Sequence, residues 1–273
     1  MSITIIGGTG IELSTHPALK NIHDEVVTTR WGKALVTRAC LDEQEIFFLH
    51  RHADPETGKR HIPPHKINYR ANIAALRKLG TTAIFAATAV GGFHADWPSG
   101  TLVLLDQFID ATTNREKTFF DDYAVHVDFT QPYCPRAQEY LRRAARELGY
   151  ELKEGGTYIC TEGPRFETPA EIKIYKSWGA DVVGMTGVPE VVLAREAEIS
   201  YAGISIVTNP AAGISDAPLT HAEVTDAMKV ALPHVVDLFL KAAREYHDDP
   251  AIPSRRPFHE AQFSDYDPRA IFE

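Results

Sequence analysis

The chain has 273 residues, 44% hydrophobic and 24% charged, a globular composition with room for one large domain or two small ones. Its formal net charge of −9 comes without a basic run. That speaks against nucleic acid and against a broad polyanion-binding face, and leaves space for a local anion pocket.

No apolar stretch approaches the length of about 18 residues that a membrane span needs, so a membrane partner is not expected. The opening MSITIIGGTG lacks a charged leader or cleavage site. Cys40, Cys134 and Cys160 are far apart and odd in number, which suits reduced thiols in the cytoplasm better than a disulfide frame or zinc site.

In chain order, short apolar runs alternate with helical patterns. Ile3–Ile6 reads as a strand entering Gly7-Gly8-Thr9-Gly10, and Glu45–Leu49 as a strand entering His50-Arg51-His52. Pro63 and Pro64 precede a helical stretch to Leu79 that Gly80 closes. Ala83–Ala87 runs into Thr88-Ala89-Val90-Gly91-Gly92, and Thr101–Leu105 is a further strand. Arg136–Leu148 is an amphipathic helix stopped by Gly149. Thr168-Pro169-Ala170-Glu171 has the pattern of a capping box with proline at the first helical position.

Asp181–Gly184 leads into Met185-Thr186, and Pro189–Ile199 is helical. The run GISIVTNPAAG at 203–213 is a strand ending on Thr208 and Asn209. Thr220-His221-Ala222-Glu223 is expected to cap a long last helix, kinked at Pro233. The alternation predicts a single α/β domain over residues 1–246 with a largely parallel or mixed central sheet flanked by helices. Residues 247–273 form a proline-rich, charged tail with scattered aromatics, expected to dock on the domain or on a neighbouring subunit.

The chemistry gathers at the predicted strand ends. GGTG is half of a dinucleotide fingerprint, but Leu13 stands where the third glycine belongs. Such a turn can still wrap a phosphate through backbone N–H groups. Arg51 is a bidentate partner for phosphate oxygens, or half of a surface pair with His52. Thr9, Thr88 and Thr186 repeat one arrangement, an apolar run followed by a hydroxyl and small residues. With Arg51 and His52 they would form an oxyanion pocket if the strand ends converge.

Glu167 reads either as a solvated loop acid before a helix or as a site carboxylate. His221, in a first helical turn, is an exposed helix start or a neutral ligand group. Asn209 is a turn starter before Pro210 or a reader of a ligand. His50, His52, His61 and His65 cluster without metal-ligand spacing, so no metal site is expected.

Six motifs, IIGGTG, RH…IPPHKINYRANIAAL, ATAVGG, DQFIDATT, TEGPRFET and GADVVGMTGVPEVVLAREAEISYAGISIVTN, resemble the trimeric purine nucleoside phosphorylase and methylthioadenosine phosphorylase family. The resemblance runs from about Ile3 to about Arg244. It implies an α/β domain around a mixed sheet, a homotrimer, and phosphorolysis of a nucleoside to free purine and sugar 1-phosphate. Inorganic phosphate is the co-substrate, and no metal or organic cofactor is implied. By motif, phosphate falls to Thr9, Arg51, His52, Thr88, the backbone of Ala89, and Thr186. Met185 lies along the ribose, Pro210 and Ala211 accompany Asn209, and His126 resembles the residue that reaches a neighbouring subunit's site.

Within that family three positions bear on the base and sugar. Adenine-using members carry Asp where this chain has Asn209, whose amide has two donors and one acceptor. Such an amide serves N7 and a 6-oxo oxygen as the base leaves. Methylthioadenosine phosphorylases carry a small residue where this chain has Glu167, a carboxylate that accepts from N1–H of a 6-oxopurine. Both point to inosine and guanosine, with Asn209 and Glu167 as the catalytic candidates. His221 resembles the residue that bonds the ribose 5′-hydroxyl in 6-oxopurine enzymes, whereas NPAAG resembles the methylthioinosine phosphorylases, the alternative reading. A non-catalytic nucleoside-binding protein is the remote one.

Overall fold

In the computed structural model, the apolar runs become strands and the 3.6-periodic runs become helices. The structure describes residues 2–8, 16–215, 221–259 and 266–273, the side chains of 221–223 excepted. Its elements are β1 (Ser2–Gly7), β2 (Leu19–Thr29), β3 (Gly32–Leu41), β4 (Gln44–His50), α1 (Tyr69–Lys78), β5 (Thr81–Gly92) and β6 (Leu102–Ala111). There follow α2 (Pro135–Leu148), β7 (Leu152–Thr161), α3 (Pro169–Ser177), β8 (Val182–Gly184), α4 (Gly187–Glu196), β9 (Ser200–Pro210) and α5 (His221–Glu245). The expected box at 220–223 lies outside the described residues and side chains, and Pro233 sits inside α5.

The strands form one mixed sheet in the order β2-β3-β4-β1-β5-β8-β7-β6-β9. A further parallel pairing of β9 with β5 closes β5-β8-β7-β6-β9 into a ring. The central strands β1 and β9 are buried almost throughout because both faces are covered. Ala83, Phe85 and Ala87 of β5 pack into one core with α2 and α5, while Ile84, Ala86 and Val90 pack into the other with α1 and α4. That is the alternation of a pleated strand. Phe85 stacks on Phe239 of α5 at 5.9 Å. Gly92 is required where β5 crowds β9, since a Cβ there would lie 2.9 Å from Val207 Cγ1.

Helix ends follow the local signals. Gly149 adopts φ 72° and donates to the Ala145 and Arg146 carbonyls, closing α2. Thr168 and Glu171 form the reciprocal capping box that starts α3. The described tail packs on its own domain: Ser254 bonds Ser200 at 2.9 Å, and Phe272 meets Trp31 and Phe119.

β1, β4, β5 and β9 are mutually parallel. Their carboxyl ends therefore share one edge of the sheet, where ligands of α/β proteins bind.

Candidate active site

At that edge lies a cavity of about 280 Å³. Gly8, Arg51, His52, Ala89 and Thr186 line it together with Glu167, Asn209 and Ala211. Residues remote in sequence thus converge because each follows a strand end.

Arg51 is 1% exposed. Its Nε and Nη2 donate to the two carboxylate oxygens of Glu190 at 2.9 and 2.8 Å, and Nη1 donates to the Ala87 carbonyl at 2.6 Å. Burial alone would lower its pKa, but Glu190 outweighs burial and keeps the guanidinium charged. Tyr201 donates to the same carboxylate at 2.7 Å. The bidentate fork expected for phosphate is thus spent on Glu190. One N–H each on Nη1 and Nη2 is left for a ligand. Pairing a buried cation on one side leaves it preorganised on the other.

His52 Nδ1 lies 2.7 Å from the Ile62 carbonyl. A carbonyl only accepts, so the proton sits on Nδ1 and Nε2 is free. Burial, then the Arg51 charge, push the imidazole below its ordinary pKa, against the opposing pull of the Ile62 bond. Neutral His52 therefore presents a lone pair, suited to the O–H of a protonated phosphate. Both groups face the glycine turn: a Cβ on Gly8 would lie 3.6 Å from Arg51 Nη1 and 3.8 Å from His52 Nε2.

Thr186 precedes α4 and lines the cavity. Its backbone N–H and that of Gly187 donate to the Tyr158 hydroxyl, which takes over the helix N-terminus. Gly184 lets this ring in, since a Cβ there would lie 2.5 Å from the phenol oxygen. Thr88 is not brought to the cavity wall. Its hydroxyl pairs with Ser205 across the β5–β9 register at 2.8 Å. Thr9 and the His221 side chain lie outside the described residues.

Glu167 is drawn in between β7 and α3, and Thr161 donates to its Oε1 at 2.6 Å. Burial raises the carboxyl above its ordinary pKa. Asn209, 7% exposed, accepts from the Thr208 hydroxyl at 2.8 Å and donates to the Pro210 carbonyl at 2.8 Å. One amide N–H and one oxygen lone pair are left for a ligand. Pro210 itself is exposed, while Ala211 is buried through its N–H to Gly92. Met185 lines the cavity against Gly163, and Val224 and Met228 bring an apolar wall from α5. His126 is exposed and lines a separate hollow with Asp128 and Arg195.

Sequence reasoning missed Glu190, Tyr158, Thr161, Thr208 and Arg115. Glu190 had a signal, an acid inside the apolar run VPEVVL. Arg115 had none, yet its guanidinium bonds the carbonyls of Val188, Thr161 and Glu162. Among the described residues no group of three His, Cys, Asp or Glu could hold a metal ion. Nor is any described helix long and apolar enough to cross a membrane.

The profile of the Phosphorylase superfamily matches residues 2–244. The chain belongs to that family. Among its relatives, a probable 6-oxopurine nucleoside phosphorylase of Dictyoglomus turgidum is 49% identical over 242 residues, covering 88% of this chain and 89% of the relative. The 6-oxopurine nucleoside phosphorylase of Pyrococcus furiosus is 47% identical over 263 residues, 93% of this chain and 94% of the relative. A probable S-methyl-5′-thioinosine phosphorylase of Methanopyrus kandleri is 45% identical, covering 86% and 89%. In structure the chain is similar to the methylthioadenosine phosphorylase of Schistosoma mansoni in complex with adenine, with TM-score 0.85 and 31% identity over 95% of this chain and 96% of that one. This phosphorylase-superfamily member is thus an enzyme with the mixed α/β fold of the nucleoside phosphorylases.

Proposed function

We propose that this enzyme phosphorolyses 6-oxopurine nucleosides, inosine and guanosine, to free base and ribose 1-phosphate. The observation that carries the reading is that Asn209 and Glu167 line the same cavity as Arg51, His52 and Thr186. Phosphate is held by the two spare Arg51 donors, the His52 lone pair, the Thr186 hydroxyl and backbone N–H groups near Gly8 and Ala89. Thr9 belongs to this set by motif, and Thr88 acts behind it through Ser205.

The transition state carries positive charge on the sugar and negative charge on the departing purine. Phosphate is positioned beside the cation, while the Asn209 amide donates to the base as it becomes an anion. Glu167, ionised, accepts from N1–H. Adenine N1 has no hydrogen, and a buried acceptor facing another acceptor discriminates by roughly 10⁴–10⁵. The chemistry is proposed to use phosphate and protein groups alone, without metal or organic cofactor.

Val224 and Met228 give the cavity an apolar wall, which suits a 5′-methylthio group. His221 begins the same helix and suits a 5′-hydroxyl.

The test is a phosphorolysis panel of inosine, guanosine, adenosine, methylthioadenosine and methylthioinosine. Phosphate-dependent turnover of inosine and guanosine, with little of adenosine, is expected. A kcat/KM ratio strongly favouring methylthioinosine over inosine transfers the assignment to the thio sugar. Inosine binding without turnover at saturating phosphate refutes catalysis.

We further propose a cytoplasmic homotrimer in purine salvage, with exposed His126 completing a neighbour's site. A sedimentation mass of three or six chains distinguishes trimer from hexamer.

A further inference from the structure

We propose that Thr161 is the positioning residue that enforces 6-oxopurine selectivity, by committing its hydroxyl proton to Glu167. The inference rests on the reading of Glu167 as the group that meets purine N1.

Thr161 is the last residue of β7 and is 7% exposed. Its hydroxyl has one proton and two acceptors in reach, Glu167 Oε1 at 2.6 Å and the Gly184 carbonyl at 3.5 Å. The shorter contact is to a carboxylate, and hydrogen bonds to charged acceptors are about twice as strong. The proton therefore goes to Glu167.

The donor is itself held. Arg115 bonds the Thr161 carbonyl at 3.1 Å and the Glu162 carbonyl at 3.0 Å, so the strand end cannot drift. A β-branched side chain adds stiffness at χ1. With Oε1 fixed, Oε2 is the oxygen available to a base.

The chemical consequence concerns which purine edge is accepted. An ionised carboxylate only accepts, so it pairs with the N1–H of a 6-oxopurine. A protonated one has an O–H and can donate to adenine N1, which would admit the 6-amino base. Burial pushes Glu167 toward the protonated form, and the Thr161 bond opposes it. The other charges facing Glu167 come from its own segment. Glu171 raises its pKa and Arg165 lowers it, but these two are bound to each other by two bonds of 2.8 and 2.7 Å. Tyr175 of α3 is the other titratable neighbour; β8 and β9 line the cavity with the uncharged Val183, Gly184, Thr208 and Asn209. Two neutral donors thus keep the carboxylate an acceptor, the Thr161 hydroxyl first and the backbone N–H of Glu167 itself next, and Thr161 is the side chain of the two.

Thr161→Val keeps the shape and removes the donor. At saturating phosphate, inosine kcat/KM at neutral pH is expected to fall about tenfold. The acidic limb of its pH profile should move to higher pH, and adenosine turnover relative to inosine should rise, most at low pH. Thr161→Ser should restore all three. A merely structural threonine would leave the limb and the substrate ratio in place.

Glu167→Gln separates this inference from its premise. If that variant retains the inosine limb and selectivity, Glu167 is not the N1 reader and the inference falls with it. If Glu167→Gln loses both while a folded Thr161→Val retains both, Thr161 alone is refuted. Should the valine variant fail to fold, Thr161→Cys, with a weaker donor, is read by the same limb and the same ratio.

Discussion

Asn209 closes β9 with both ends of its amide already engaged, the oxygen by Thr208 and one N–H by the Pro210 carbonyl. These bonds satisfy the turn reading of Asn-Pro, and they also fix which way the amide faces. The Pro210 carbonyl can only accept, so the amide nitrogen faces it and the oxygen faces the Thr208 hydroxyl, which leaves one N–H presented as a donor. Turn residue and base reader are therefore one geometry. Asn209→Asp tests it. An ionised Asp brings a second acceptor against the Pro210 carbonyl and offers no proton to the purine. Loss of one hydrogen bond of this kind lowers inosine kcat/KM by about 10–100-fold. A protonated fraction of the variant donates to N7 while accepting from a 6-amino group, so the adenosine-to-inosine ratio rises. Steady-state kinetics on both nucleosides read it, and unaltered inosine turnover would return Asn209 to the turn alone.

The elements explain why a loop acid is so well placed. Glu167 stands one residue before Thr168, the N-cap of α3, whose side chain bonds the Glu171 N–H while Glu171 bonds back at 2.7 Å. The Glu171 carboxyl, held by Arg165 first and the Thr168 N–H next, lies near pKa about 2, so the box persists across the working range. Thr168→Ala should cost about 1 kcal/mol of stability, read by urea denaturation. It should also raise the KM for inosine more than it lowers kcat, because a frayed helix start loosens Glu167 while leaving the phosphate groups untouched. This box was legible in the sequence because its signal is local, as were β1, β4, β5, β9 and the glycine stop of α2. The hairpin of β2 with β3 was not, since its outward face is polar and its pattern irregular. Non-local partners were equally hidden. Arg51 looked like a free phosphate fork, yet Glu190, 139 positions away, occupies two of its donors. Thr88 looked like a phosphate hydroxyl, yet register places it on Ser205. Sequence named the types of group at each strand end, and only the sheet's closure decided which of them face the cavity.

At the scale of the molecule, α4 and the tail are joined through a buried acid outside the cavity. Glu196, at the end of α4 and 5% exposed, accepts from the Phe119 N–H at 2.8 Å and the Thr118 hydroxyl at 2.8 Å. The loop it holds presents Phe119 to Phe272 at 4.9 Å and Phe120 to Phe258 at 5.8 Å, so the tail rests on it. Arg269 adds a bond to Glu198 at 3.0 Å. Burial raises the Glu196 carboxyl to about 7, against the lowering effect of those two hydrogen bonds. A carboxyl whose folded pKa lies above its unfolded value of 4.5 binds more protons folded than unfolded between the two. Its contribution is complete below about 4.5 and is lost as pH rises through about 7. The swing amounts to about 3 kcal/mol at most, taking 1.36 kcal/mol per unit. Glu196→Gln retains an acceptor for Phe119 and abolishes the titration. Denaturant unfolding from pH 4 to pH 8 should therefore show a shallower decline in the variant than in the parent. The two curves should converge toward low pH, and the variant should gain on the parent as pH rises from about 4.5 to about 7, with a constant gap above that. Parallel curves would show that Glu196 titrates alike in the folded and unfolded chain, and that the loop carrying the tail is held without reference to pH.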